Sequence, residues 1–147
     1  MSENETTPAL PSTPATGAQG APPEAGMSAE EEKNWCYAAH LGPLLMIFAS
    51  GGLAAFVVPL VIWLMKKDEN ERIAEHARVA LNFQLAMVAA TFVLVAIGFG
   101  TLGFGFLLTI PGLLVVFILQ IFGGVRACMQ VGKGEPAVYP ASLTIVK

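Results

Sequence analysis

One uncharged segment dominates this sequence: the 47 residues from Val79 to Val125 contain no Asp, Glu, Lys or Arg. A helix needs about 20 apolar residues to cross a bilayer, so this segment is long enough to cross twice. A shorter uncharged segment, Leu41–Met65, precedes it. Only 13% of all residues are charged, compared with ~25% in soluble domains. The sequence therefore predicts an all-α integral membrane protein.

Helix signals divide the chain into four predicted helices. Ser28 and Glu31 have the spacing of a capping box, in which each side chain bonds to the backbone of the other. Glycines at Gly51-Gly52 and between Gly98 and Gly105 interrupt the pattern. The first two predicted helices cover Ala29 to about Ala49 and roughly Leu53–Lys67. The third starts within Asp68–Glu71, with Asp68 or Asn70 as its cap, and continues through Phe99. The fourth covers about Phe104–Gln130 with a bend at Pro111.

The positions of the basic residues predict how these helices are arranged. If both glycine turns lie on the far side of the membrane, all eight Lys and Arg residues lie on the near side. Positive residues are retained on the cytoplasmic side, so we expect a bundle of two helical hairpins with both termini cytoplasmic. The basic residues are Lys33, Lys66, Lys67, Arg72, Arg78, Arg126, Lys133 and Lys147. Those between the hairpins, Lys66, Lys67, Arg72 and Arg78, are the predicted topology-setting residues.

The first hairpin is short for a membrane crossing. Leu53–Met65 reaches only ~20 Å at 1.5 Å per residue, whereas the hydrocarbon core is ~30 Å thick. Three alternatives follow: the hairpin thins the bilayer, it uses its polar ends to complete the crossing, or it is re-entrant and leaves on the side that it entered. Trp35 and Trp63 fall near the cytoplasmic boundary, where Trp residues commonly anchor membrane proteins.

The helical region is predicted to be flanked by two cytoplasmic tails. Residues 1–27 are rich in Pro, Thr, Ala and Gly and have no Lys or Arg, so we expect a disordered tail. Residues 28–131 form the predicted four-helix membrane domain, and residues 132–147 a short C-terminal tail. The predicted location is the bacterial inner membrane.

Four polar residues near the uncharged segments are predicted to join the helices. His40 and Asn82 are both expected at a shallow depth on the cytoplasmic side. A hydrogen bond from His40 to Asn82 or Glu75 would connect the two hairpins and contribute ~0.6–2 kcal/mol. His76 completes this set. The functional alternative is a proton relay or metal site made of His40, His76 and Glu75.

The motifs of several enzyme classes are missing from the sequence. Glu75-His76 is not part of an HExxH zinc motif, and Ser50 has no GxSxG context. Cys36 and Cys128 fit no zinc spacing, and both are expected to be reduced. We therefore predict no catalytic residues, no metal, no cofactor and no nucleic-acid partner.

Several motifs together resemble a known family. Asn34-Trp35, Pro59–Asp68 (PLVIWLMKKD), Ala80–Gln84 (ALNFQ) and Tyr139-Pro140 occur in the order found in the bacterial domain-of-unknown-function family 4870. That family is similar to the twenty-kilodalton import component of the chloroplast Tic translocon. The resemblance covers about Ala29–Lys147 and implies four helices. Ala141-Ser142 depart from the pattern, because Tyr-Pro and Leu-Thr-Ile usually adjoin.

These features lead to three functional hypotheses. The first is a non-enzymatic membrane protein that acts as a scaffold, an assembly factor or a translocation-related component, with the bilayer, further copies of itself or other membrane proteins as partners. The second is a channel or transporter subunit, which the glycine breaks and the resemblance to an import component favour. The third is a membrane enzyme that uses His40, His76 and Glu75.

Overall fold

The computed structural model describes residues 26–147, and these residues form four helices and no strand. The helices are α1 (Ala29–Ser50), α2 (Val57–Lys66), α3 (Glu71–Gly100) and α4 (Phe106–Lys133). The prediction of an all-helical fold with four helices is confirmed for this part of the chain. Residues 1–25 of the tail that is predicted to be disordered, residues 1–27, lie outside the described residues.

The first helix begins with the predicted capping box. The backbone N–H of Glu31 donates to the Ser28 hydroxyl, and the backbone N–H of Ser28 donates to the Glu31 carboxylate. These bonds from Ser28 lower the pKa of Glu31. The cap is therefore complete above the pKa of Glu in an unfolded chain, and it is lost as the pH falls through the lowered value.

The second helix is shorter than predicted, because the connection before it takes up more residues. Residues 51–56 form successive tight turns, with backbone bonds from Ala55 to Gly52 and from Val57 to Ala54. Gly51 and Gly52 have positive φ angles of 63° and 90°, which glycine adopts without strain. Helix α2 consequently begins at Val57 rather than Leu53.

The two long helices end differently from each other. Helix α4 continues through Pro111 and runs three residues past its predicted end, to Lys133, where Gly134 caps it at φ 76°. The tip between α3 and α4 contains Leu102, a non-glycine residue with a positive φ of 53°. The backbone energy of Leu102 is therefore less favourable than that of a glycine in the same place.

The helices pack around a central pair. Helices α1 and α3 contact each other, and each of them also contacts α2 and α4. In the described part of the chain, α2 and α4 do not contact each other. The beginnings of α1 and α3 meet the ends of α2 and α4, and we call this the charged end. Arg72 donates to Glu32 at 2.8 Å, and Lys33 donates to the Gly132 carbonyl at 3.4 Å.

The hydrophobic core lies in the half of the bundle near the charged end. One cluster contains Cys36, Ile62, Ile73 and Val131, and the other is centred on Phe83 and Met87. Beyond these clusters, residues 92–115 form a two-helix projection that we call the distal arm. Its side chains are mostly exposed, and Leu107 keeps 88% of its surface. Side chains are thus mostly buried in the half of the bundle near the charged end and mostly exposed in the distal arm.

The C-terminal segment, residues 134–147, turns back along the bundle. Ala137 and Tyr139 are buried in the core cluster of α3 and α4. The sequence had predicted only a short cytoplasmic tail over residues 132–147. The structure instead makes part of this segment a component of the folded domain.

The cap of α3 provides a stability test, because its side chain has two roles. Asn70 accepts from the backbone N–H of Ile73 and donates to the buried Glu32 carboxylate. Asn70→Ala is expected to lower the free energy of unfolding by about 2–3 kcal/mol through the loss of both bonds. Unfolding in mixed micelles measures this change.

Ser28→Ala is the matched control for this prediction. It removes the cap of α1, but the hydrogen bonds of Ser28 are exposed. The expected loss is about 1 kcal/mol or less. Equal losses in the two variants would show that Asn70 acts only as a cap.

Candidate functional site

The most concentrated polar arrangement in the interior is a chain of three side chains. Nδ1 of His40 lies 2.9 Å from the Tyr139 hydroxyl, and Nε2 of His40 lies 3.0 Å from Nδ1 of His76. His40 is completely buried, and the other two residues are nearly so. These three hydrogen-bonded side chains, which we call the His40 chain, join α1, α3 and the C-terminal segment.

Packing around Tyr139 explains how the C-terminal segment reaches this position. The Tyr139 ring stacks on Phe83 with 4.2 Å between centroids and an interplanar angle of 17°. A Cβ atom added to Gly123 would lie 2.8 Å from the Tyr139 ring. Glycine at this position of α4 therefore creates the space in which Tyr139 packs.

Burial also determines the protonation of Tyr139. Removal from water, followed by the nearby Cys128 thiol, raises the pKa of Tyr139, so the hydroxyl keeps its hydrogen. It can donate this hydrogen to Nδ1 of His40. His40 can then donate from Nε2 to Nδ1 of His76, which gives the neutral His40 ring two partners and the neutral His76 ring one.

Asn82 holds the end of the C-terminal segment through backbone atoms. Its side-chain oxygen accepts from the N–H groups of Ile145 and Val146 at 3.0 and 2.7 Å, and its amide donates to the Val146 carbonyl at 2.9 Å. We call these three bonds the Asn82 clamp. The clamp satisfies backbone groups that would otherwise need water.

The charged residues that the sequence singled out lie at the charged end. Arg78 pairs with Glu75, and Lys66 pairs with Glu69. Arg72 pairs with the buried Glu32. Most of these are partly exposed pairs, which each contribute ~0–1 kcal/mol.

The two tryptophans lie beside cations at this end. The Lys66 ammonium is 5.1 Å from the centre of the Trp35 ring, and the Lys67 ammonium is 5.6 Å from that of Trp63. Each pair is a cation–π contact. The arrangement places both aromatic rings next to the residues that were predicted to set the topology.

The partner predicted for His40 was wrong. His40 bonds neither to Asn82 nor to Glu75, and it contacts His76 and Tyr139 instead. The reason is that the C-terminal segment folds back onto the bundle. Its Tyr139 bonds to one side of the His40 ring, and its backbone takes up the hydrogen bonds of the Asn82 side chain. Of the four predicted polar residues, the structure brings together only His40 and His76.

Sequence reasoning also missed several buried polar residues. No role was predicted for Glu32, yet it is 2% exposed and its carboxylate accepts hydrogen bonds from Asn70 and Arg72. Gln84 and Gln120 are 2% and 5% exposed, and their side-chain oxygens have no hydrogen-bond partner in the described chain. The available signal was the presence of two Gln residues inside the uncharged segment.

The hydrogen-bonding groups of His40, His76 and Tyr139 are used mainly within the His40 chain itself. Both nitrogens of the His40 ring and the Tyr139 hydroxyl are engaged inside the protein. Within residues 26–147, no group of three or more His, Cys, Asp or Glu side chains is arranged to hold a metal ion. The geometry therefore favours a role in joining helices.

Fold and site together define a small all-helical protein whose two longest helices are long and apolar enough to cross a bilayer. Residues 31–146 match the model of the magnetosome magnetite crystal formation protein family, MamF/MmsF. The match covers well over half of the chain, which therefore belongs to this family. Comparison with curated proteins found no match, and neither did comparison with solved structures.

The family match corrects the resemblance drawn from the sequence. The motifs that pointed to domain-of-unknown-function family 4870 and to the Tic import component lie within residues 31–146, the range that matches the magnetosome family. The assignment to the other family was wrong, and the implied likeness to an import component is withdrawn.

A double-mutant cycle tests the connection between α1 and the C-terminal segment. Tyr139→Phe keeps the stacking on Phe83 but leaves Nδ1 of His40 without a partner, so we expect a loss of about 1–3 kcal/mol. His40→Leu should cost more, because it leaves both the Tyr139 hydroxyl and Nδ1 of His76 buried and unpaired. The double variant should lose less than the two single losses combined.

Unfolding in mixed micelles measures all three variants. Tyr37→Phe is the matched control for the loss of a tyrosine hydroxyl, since Tyr37 lies in α1 and is only partly buried. Strict additivity of the two substitutions would contradict a direct bond between His40 and Tyr139.

Proposed function

We propose that this chain is a multi-pass magnetosome membrane protein that supports magnetite crystal formation as a non-enzymatic scaffold, with both ends of its helical domain on the cytoplasmic side. Family membership over residues 31–146 supports the process and the compartment. The observation that carries the membrane placement is the reversed polarity of the bundle away from the charged end, where Gln and Thr side chains are buried and large apolar side chains are exposed.

The reversed polarity is clearest in the second half of the chain. Gln84, Thr109 and Gln120 are buried, whereas Leu102, Phe104 and Leu107 each keep more than four-fifths of their surface exposed. In water, such an apolar surface would be an aggregation hazard. In a bilayer it faces lipid, and the interior polar groups pack between helices.

Charge distribution supports the orientation. The cations of the folded domain lie on the helix ends that form the charged end or within a few turns of it, and none lies in the distal arm. Since Lys and Arg are retained on the cytoplasmic side, the charged end faces the cytoplasm. Trp35 and Trp63 would then anchor this end at the lipid boundary.

A scaffold needs a surface of fixed shape, and the charged end has one. The buried Glu32 bonds, the His40 chain and the Asn82 clamp connect α1, α3 and the C-terminal segment. These interactions are internal to the protein, so they hold the shape without a ligand. Other membrane proteins, or further copies of this chain, are the proposed partners.

A specific observation favours one further candidate, a channel or transporter subunit. The unpaired oxygens of Gln84 and Gln120 are buried partway along the long helices. Gln120 also lies against the turn at Gly52. Carbonyl oxygens at such a depth can replace the water shell of a passing ion. Ion flux through vesicles that contain the purified protein would support this candidate over a scaffold.

Cysteine labelling of isolated, sealed magnetosomes tests the orientation, because their outer face is the cytoplasmic face. In a Cys128→Ser background, Glu69→Cys should react with a membrane-impermeant reagent on sealed magnetosomes. Phe104→Cys should react only after the membrane is opened. Cys36 is fully buried and serves as an internal control. Labelling of position 104 from the cytoplasm would rule out the proposed placement.

Complementation of a deletion strain tests the scaffold role. We expect that removing the chain changes the size or number of magnetite crystals, which electron microscopy measures. The His76→Ala variant should restore crystals in proportion to the amount of protein present, because His76 is proposed to stabilise the fold. Complete loss of function at normal protein levels would point to a chemical role for His76.

A further inference from the structure

We propose that the helical domain is a membrane wedge, wide in the leaflet next to the charged end and narrow in the other, which concentrates in membranes that curve with the charged-end leaflet on the convex side. This inference rests on the membrane placement proposed above. It adds a shape, and a curved bilayer as the preferred partner.

The first hairpin ends partway along the second. Leu44 packs against Gly124, Phe48 meets Phe117, and the turn at Gly52 reaches Gln120. Gln120 lies 14 residues after the start of α4, which is about 21 Å at 1.5 Å per residue. About half of α4 therefore extends beyond the tip of the first hairpin.

Beyond this point the distal arm contains only α3 and α4. Gly112 packs against Leu94, and Gly98 packs against Phe106. The Thr109 hydroxyl donates to the Leu94 carbonyl at 2.8 Å, which ties the two helices together. These contacts join α3 to α4 alone, so the arm is two helices wide.

Near the charged end the cross-section is larger. All four helices are present there, and the C-terminal segment adds a fifth element. Tyr139 lies beside Phe83, and the Asn82 clamp fixes residues 145 and 146 on the outside of α3. Leu143 and Ile145 remain exposed, so this segment presents apolar side chains to the lipid of the leaflet next to the charged end.

Helix lengths place this change in width near the middle of the bilayer. Residues 79–100 of α3 carry no charge and span about 33 Å, close to the hydrocarbon thickness of ~30 Å. Gln120 is six residues from Arg126 in α4, or ~9 Å. The tip of the first hairpin therefore lies near the middle of the bilayer, short of the far boundary, which favours the re-entrant alternative.

The physical consequence is an imbalance in area between the two leaflets. A helix with a diameter of ~10 Å occupies ~80 Å², so two additional helices add roughly 160 Å² to one leaflet. In a flat bilayer, lipid in the other leaflet must stretch or tilt to fill the difference. Bending the bilayer so that the charged-end leaflet becomes convex relieves this cost. The free energy of insertion therefore depends on the curvature of the membrane.

Depth measurements test the shape directly. In the Cys128→Ser background, a fluorescent probe is attached at Leu53→Cys or at Leu107→Cys, and lipids carrying quenchers at known depths are added. The Leu53 probe should be quenched best by mid-chain quenchers, and the Leu107 probe by quenchers near the far headgroups. If both probes lie at the far headgroups, the first hairpin crosses fully and the wedge is wrong, while the membrane placement stands.

The same probes identify what surrounds the distal arm. Quenching of the Leu107 probe by lipid confirms that lipid covers the arm. If lipid quenchers cannot reach it at any depth, a second copy or another protein fills the narrow side, and the proposal fails.

Sorting between membranes of different curvature tests the preference. The labelled full-length chain is reconstituted in giant vesicles, and narrow tubes are drawn outward from them. Protease accessibility identifies preparations with the charged end outside. We expect a several-fold higher density of protein per lipid in the tube than in the vesicle. Equal density would overturn the proposal. Failure to insert into any vesicle would instead contradict the proposed membrane placement.

Asn82→Ala provides a variant with a narrower wide end, because it releases the clamped segment. Ser142→Ala is the matched control, since Ser142 lies in the same segment and is exposed. The enrichment in the tube should fall for Asn82→Ala and stay unchanged for Ser142→Ala. An unchanged enrichment in both variants would show that the C-terminal segment adds nothing to the wedge.

Discussion

A carboxylate removed from water sets the register of the whole bundle. Glu32 near the start of α1 accepts from Asn70 and Arg72 at the start of α3, and it is 2% exposed. Losing Arg72 would leave this buried charge without its cation, which costs several kcal/mol. The pairing of His40 with His76, about two turns along α1 and one turn along α3, depends on this alignment. One local interaction thus positions the interior polar chain.

Sequence patterns predicted the helices well, because their signals are local. The Ser28 capping box, the Asn70 cap and the glycine breaks each act within a few residues, and the structure has them. The tight turns over residues 51–56 were missed, since no single residue marks where such turns end and a helix begins.

Contacts between distant residues were the part that could not be predicted. Tyr139 is 99 residues from His40, and nothing in the spacing of either residue indicates that they meet. Gly123 makes the contact possible by the absence of a side chain, which a sequence shows only as one more glycine. The family assignment, which rested on short motifs in a fixed order, also failed, since residues 31–146 match a different family.

The Asn82 clamp has a consequence for how this chain can vary among relatives. The clamp holds the main-chain atoms of residues 145 and 146 and reads neither side chain. Drift in the identity of the final residues therefore leaves docking intact, as long as the segment stays extended. Proline is the exception, because it lacks the N–H that Asn82 requires at both positions.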